Sequence, residues 1–191
     1  MTSDDFRNSQ YRPLPDEAMR ILLGVSAPPR LIAHLILVHD VACDLVQRIR
    51  DAFPNVEFES GDVLFGAATH DIGKAIYKEE LSAPGSMHEP RGYQLLIEQG
   101  IGESRARFAV THGAWRGNPD LRLEDLLVAL ADNCWKSKRN PELEALVVEE
   151  LANKSHEPEW QCFSVLDEIL QDLSVEADAR LTWQALFPVL K

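Results

Sequence analysis

His70 and Asp71 are adjacent, delivered by an apolar run from Val63 to Ala68 and followed by Ile72-Gly73-Lys74. Imidazole nitrogen and carboxylate oxygen are both ligands for divalent metal ions. Neighbours on a helix point about 100° apart, so the pair serves one centre only where that centre is crowded or bridged. A carboxylate can bridge two cations, which fits that geometry. Gly73 is expected to end the helix as a residue of positive φ. Lys74 then sets an ammonium group beside the pair, a suitable place to meet phosphate.

Four further residues have the right chemistry at workable intervals. His39 lies 31 residues before His70, His88 lies 17 after Asp71, His112 a further 24 on, and Asp132 a further 20 on. Asp132 falls inside an apolar helix, where an unpaired carboxylate is costly. Each has a plainer reading: His39 as a half-buried core histidine, His88 as a polar helix start, His112 as a helix C-terminal cap, and Asp132 as the partner of Lys136, Lys138 or Arg139. Together, four histidines and two carboxylates suit two divalent transition-metal ions better than Mg²⁺ or Ca²⁺. His34 is five residues before His39, about 140° around the helix, and is set aside with His156 as structural.

The elements that must position these groups are helical. Asp16 to Val25 reads as a short helix. Arg30 to Phe53 reads as a long one, with Leu31, Leu35, Val38, Ala42, Leu45 and Ile49 at three- and four-residue steps. Ser60 or Asp62 is expected to cap the helix that runs into His70-Asp71. Helices follow over His88 to Gln99, Glu103 to His112, and Leu121 to about Lys138. Asn140-Pro141 opens another, whose Glu142, Glu144, Glu149 and Glu150 are expected to form a solvated face. Glu157 to Leu173 and Val175 to Leu186 complete the chain. Strand signals are nearly absent. The expectation is an all-α bundle of about eight helices: residues 1–14 as a flexible arm, and 15–191 as one helical domain. That domain has a metal-site core over about 30–140 and C-terminal helices over 141–191.

Composition narrows the partners. The 191 residues include 19 basic and 31 acidic side chains, a net charge of −12, with 45% hydrophobic and 26% charged residues. That is globular, and it argues against broad nucleic-acid or anionic-membrane binding. Cys43, Cys134 and Cys162 form no C-x-x-C pair, the N-terminus does not read as a signal peptide, and the longest apolar run is too short for a membrane span. A cytoplasmic location with reduced thiols is expected.

At this point the chain resembles a known family. His39, then His70-Asp71, then Asp132 looks like the H…HD…D signature of the HD-domain superfamily, and His70-Asp71-Ile72-Gly73-Lys74 is the form that many of its phosphohydrolases carry. His88, in His88-Glu89-Pro90-Arg91-Gly92-Tyr93, and His112 resemble the additional ligands of its two-metal subgroup. The resemblance covers about residues 30 to 140. It implies an all-α fold and hydrolysis of a phosphate ester or anhydride (EC 3.1 or 3.6 type), with a nucleotide or dinucleotide as substrate. His39, His70, Asp71 and Asp132 would hold one metal, and Asp71 would bridge to a second on His88 and His112. A metal-bound hydroxide would attack phosphorus, with Asp71 and Lys74 as the catalytic pair and Lys74, Arg91 and Arg116 binding substrate. The metals would be one or two of Fe, Mn, Co, Ni or Zn.

No Gly-Tyr-Pro follows the motif, so the cyclic-dinucleotide phosphodiesterase branch does not fit, and the Asp-rich continuation of alarmone hydrolases is absent. The nearest pattern is that of small bacterial HD hydrolases that split diadenosine tetraphosphate symmetrically. Two alternatives stand beside it: a mixed-valence di-iron oxygenase of the same superfamily, and a non-catalytic HD scaffold. The acidic helices after Glu142 leave a homodimer or a protein partner open.

Overall fold

Two prolines, Pro28 and Pro29, set the start of the longest helix, because proline's fixed φ suits a first helical turn. The computed structural model describes residues 10–189. In it α1 spans Asp16–Gly24 and α2 spans Pro29–Ala52. The helix α3 is Ser60–Thr69, and a 3-10 turn over Ile72–Ala75 follows it directly. A second 3-10 turn, Lys78–Leu81, leads to α4, His88–Glu98. Two single-turn helices come next, α5 (Glu103–Ala106) and α6 (Phe108–Thr111). The remaining four are α7 (Leu123–Cys134), α8 (Pro141–Ser155), α9 (Glu159–Ser174) and α10 (Ala177–Ala185). Eight of these helices have nine residues or more, and no strand forms among the described residues. The all-α expectation therefore holds. No described helix is long and apolar enough to cross a membrane.

The centre of the bundle is α2. Every residue from Leu31 to His39 is buried, so its first turns are enclosed on all sides and not along one stripe. It packs chiefly on α3 and α7, with α9 and α10 also against it. Leu31, Leu35, Val38, Phe65, Phe108, Leu127 and Leu130 are among the side chains that fill the shared core. Removing such side chains from water supplies the main driving force, roughly 1.5–3 kcal/mol each. Gly66 lets α3 sit tightly here: a Cβ at that position would stand 2.7 Å from both Phe108 Cγ and Val128 Cγ2.

Several local expectations are corrected. Of the residues expected as an arm, 1–9 lie outside the described residues, but Tyr11 and Leu14 are buried. Arg12 fastens that segment to α2 through Asp40 at 3.0 Å and Asp44 at 2.5 Å. The helix α3 starts at Ser60 after Glu59, with no side-chain cap from Ser60 or Asp62. Glu144 does not join a solvated face. It is buried and accepts from Arg139 Nη2 at 2.7 Å and from the Asn140 amide at 2.8 Å.

Gly73 is also corrected. It lies inside the 3-10 turn and is absent from the positive-φ residues, which include Gly100 and Gly117. Glycine is required for a different reason. A Cβ on Gly73 would stand 1.9 Å from the backbone oxygen of His88. The turn after His70-Asp71 therefore presses directly on the first residue of α4, which carries His88 to Asp71.

Candidate metal centre

Asp71 sits at the junction of α3 and the 3-10 turn and is 2% exposed. Its two carboxylate oxygens face different groups. Oδ2 lies 3.2 Å from His34 Nε2 and 3.7 Å from His70 Nε2. Oδ1 lies 3.1 Å from His88 Nε2 and 3.5 Å from His112 Nε2. Asp132 Oδ1 completes the first group, at 3.3 Å from His34 Nε2 and 3.5 Å from His70 Nε2. His34 Nε2 and His70 Nε2 are 3.4 Å apart.

These separations fit a bound cation. Ligand distances of 2.0–2.1 Å in a tetrahedral site put neighbouring ligand atoms about 3.4 Å apart. Asp71 Oδ1 and His88 Nε2 are both buried without a hydrogen bond, although they face each other. His34, His70 and Asp132 form one group that could hold a metal ion, and His70, Asp71 and His112 form another.

The histidines are aimed from behind. His70 Nδ1 lies 3.1 Å from the Ala67 carbonyl, and His112 Nδ1 lies 3.0 Å from the Phe108 carbonyl. An oxygen that only accepts places the ring proton on Nδ1 and leaves the Nε2 lone pair facing the centre. His88 is held in the same way by Glu80, whose Oε2 is 2.5 Å from Nδ1. The same carboxylate accepts from the His88 and Met87 amides. A Cβ on Gly85 would collide with it, so that glycine leaves room for Glu80. On the opposite side Trp135 packs edge-on against His34, ring centroids 5.2 Å apart.

The electrostatics keep both carboxylates of the cluster ionised. Burial works against ionisation of Asp71, yet His70, His112, His34 and His88 hold it well below the usual carboxylate range. Asp132 is held low in the same manner, against its burial, by His34 and His70. Burial would lower His34, but Asp132 and Asp71 raise it overall. Burial lowers His70. One ring is thus pulled towards the cationic form beside another that is pushed away from it.

The fold gathers His70, Asp71, His88, His112 and Asp132. It does not bring in His39. Five residues along α2 advance about 7.5 Å and turn about 140°, so His34 reaches the centre and His39 lies beyond it. His39 Nε2 is 3.8 Å from Cys43 Sγ, and its Nδ1 is buried without a hydrogen bond. Burial, with the Arg12 guanidinium adding to it, lowers its pKa to about 4. Helical spacing does not separate the two: His34 stands three residues after Leu31 and four before Val38, and His39 four after Leu35 and three before Ala42.

Two cavities open on the centre. The smaller, about 180 Å³, is bordered by Arg30, His34, Asp71, Lys74, Trp135 and Lys136. The larger, about 300 Å³, is bordered by Asp71, Lys74, His88, His112, Asp132 and Lys136, and also by Arg116 and Lys138. Lys74 Nζ is 2.6 Å from Asp71 Oδ2. Arg116 reaches the larger cavity but pairs with Glu142 at 2.8 Å. Arg91 borders neither cavity and pairs with Glu98 at 2.8 Å on the outer side of α4. The fold therefore does not bring Arg91, expected at the substrate, to either cavity that meets Asp71. Glu80, Lys136 and Lys138 enter the site's surroundings without having been singled out as functional in the sequence.

No family model matches the chain, no curated protein matches it, and no solved structure matches it.

Proposed function

We infer that this protein is a metal-dependent phosphohydrolase of the HD type, acting on a phosphate ester or anhydride, with a nucleotide or dinucleotide as the substrate class. The observation that carries this reading is the division of Asp71. Its Oδ2 joins His34, His70 and Asp132, while its Oδ1 joins His88 and His112. With His34 as the first histidine, the H…HD…D order is kept. The donor set suits two divalent ions from among Fe, Mn, Co, Ni and Zn.

Bound there, such ions supply a nucleophile from water at neutral pH and neutralise charge on phosphoryl oxygens. The chain's own groups do the rest. Carbonyls of Ala67 and Phe108 and the carboxylate of Glu80 hold three imidazoles in one tautomer. The walls shield the centre, since His70 is fully buried and Asp71 nearly so. Lys74 sets its ammonium at the point where both cavities meet Asp71, placed to offset phosphate charge. Water adds to phosphorus, the bond to the leaving oxygen breaks, and the water's proton passes to that oxygen or to solvent.

The test is phosphate release from a panel of nucleotides, dinucleoside polyphosphates and cyclic nucleotides, using metal-free protein reloaded with Mn²⁺, Fe²⁺ or Co²⁺. Turnover that needs metal and disappears in Asp71→Asn is expected. Silence across the panel with metal bound contradicts the reading.

A further inference from the structure

The cations of this acidic chain are unevenly partnered. Arg12, Arg105, Arg107 and Arg139 each stand against a carboxylate. Lys136 and Lys138 have no carboxylate within 4.0 Å among the described residues. Both are exposed, and both border the larger cavity together with Lys74, Asp71 and Asp132. Lys136 also borders the smaller cavity.

Their place at the end of α7 has an ordinary electrostatic attraction, because a helix C-terminus favours cations. That does not account for both opening on one cavity. The turn that ends α7 contributes to this placement. Ser137 takes a left-handed conformation at φ 58, and the Lys138 amide bonds back to the Asn133 carbonyl at 3.1 Å. The chain therefore folds back at the rim of the cavity, with a lysine on each side of Ser137.

We propose that the trough from Lys74 past Lys136 to Lys138 binds an oligophosphate chain, so the reacting group at Asp71 belongs to a phosphoanhydride and is not an isolated monoester. The inference rests on the phosphohydrolase reading. Lys74 faces the reacting phosphoryl, and Lys136 and Lys138 meet the next phosphates. Water's oxygen bonds to phosphorus, the P–O–P bridge breaks, the bridging oxygen departs with the second phosphate, and the water's proton passes to that phosphate or to solvent. The negative charge that develops on that leaving phosphate is offset by the two lysines. A monoester places no phosphate there and leaves them unused.

The experiment is calorimetric titration of Mn²⁺-loaded protein, in excess Mn²⁺, with inorganic tripolyphosphate and with orthophosphate. Wild type is compared with the double variant Lys136→Gln/Lys138→Gln and with Lys154→Gln, a change on α8 away from both cavities. Tripolyphosphate should bind wild type more tightly than orthophosphate. The double variant should weaken tripolyphosphate roughly tenfold, as two exposed charge contacts allow, and orthophosphate less than about twofold. Lys154→Gln should change neither. Equal loss for both anions, no loss, or no preference for tripolyphosphate overturns the proposal. Phosphate release from monoesters alone, with no such preference, keeps the phosphohydrolase reading and sinks this one. A lysine-dependent preference without any phosphate release sinks the phosphohydrolase reading and leaves an oligophosphate-binding site.

Discussion

Glu80 Oε2 stands 2.5 Å from His88 Nδ1, and the same carboxylate accepts the backbone amides of Met87 and His88. One side chain thus orders the loop before α4 and fixes which nitrogen of His88 faces Asp71. Carboxylates behind a ligating histidine typically contribute ten- to a hundredfold in metal affinity. Glu80→Ala should weaken metal binding by roughly that factor while the far-UV circular dichroism stays that of wild type. Glu80→Gln, which keeps an accepting oxygen, should recover part of the loss. Unchanged metal affinity in Glu80→Ala would remove Glu80 from the account.

Gly73→Ala probes the contact between the 3-10 turn and α4. The added methyl carbon would meet the His88 backbone oxygen at 1.9 Å, which backbone movement alone can relieve. Overpacking of this kind costs about 1–3 kcal/mol. The expected outcome is a lower denaturation midpoint, together with loss of metal at the pole formed by His88 and His112. A variant with wild-type stability and full metal content would contradict the tight packing.

His39 makes stability depend on pH. Its pKa is lowered to about 4 by burial and by Arg12, whereas an unfolded histidine has about 6.5. Between those values the unfolded chain binds the extra proton, so acidification favours unfolding. The contribution is present above pH 6.5 and is lost as pH falls towards 4. At pH 5 this amounts to about 2 kcal/mol relative to pH 8. Urea unfolding of wild type and His39→Leu at pH 8 and pH 5 should show a shallower pH dependence in the variant by about that amount. Parallel behaviour would show that His39 is not buried in its neutral form.

How much of this was legible follows from the residues themselves. The helices were readable because apolar side chains recur at helical steps, and Pro28, Pro29, Pro141 and Gly100 punctuate them. His70, Asp71, His88, His112 and Asp132 were readable because each falls at a helix end or on an inward face. The choice between His34 and His39 was not. The start of α2 is enclosed on every side, so burial gives no preferred direction and both histidines sit at helical steps from apolar neighbours. Gly73 was misread because a glycine after a helix usually supplies positive φ, while here it supplies room for a contact with a segment 15 residues on. Glu80 was invisible because its partner lies across a loop, and no periodicity links the two.

The measurement that bears most directly on the centre is Co²⁺ binding to metal-free protein, followed by calorimetry and absorbance, for wild type, His34→Gln and His39→Gln. Two ions per chain are expected in wild type and in His39→Gln. His34→Gln should lose one of them, or bind it at least tenfold more weakly. Full binding in His34→Gln, or loss in His39→Gln instead, would contradict the assignment of His34, and no binding in wild type would contradict the centre itself.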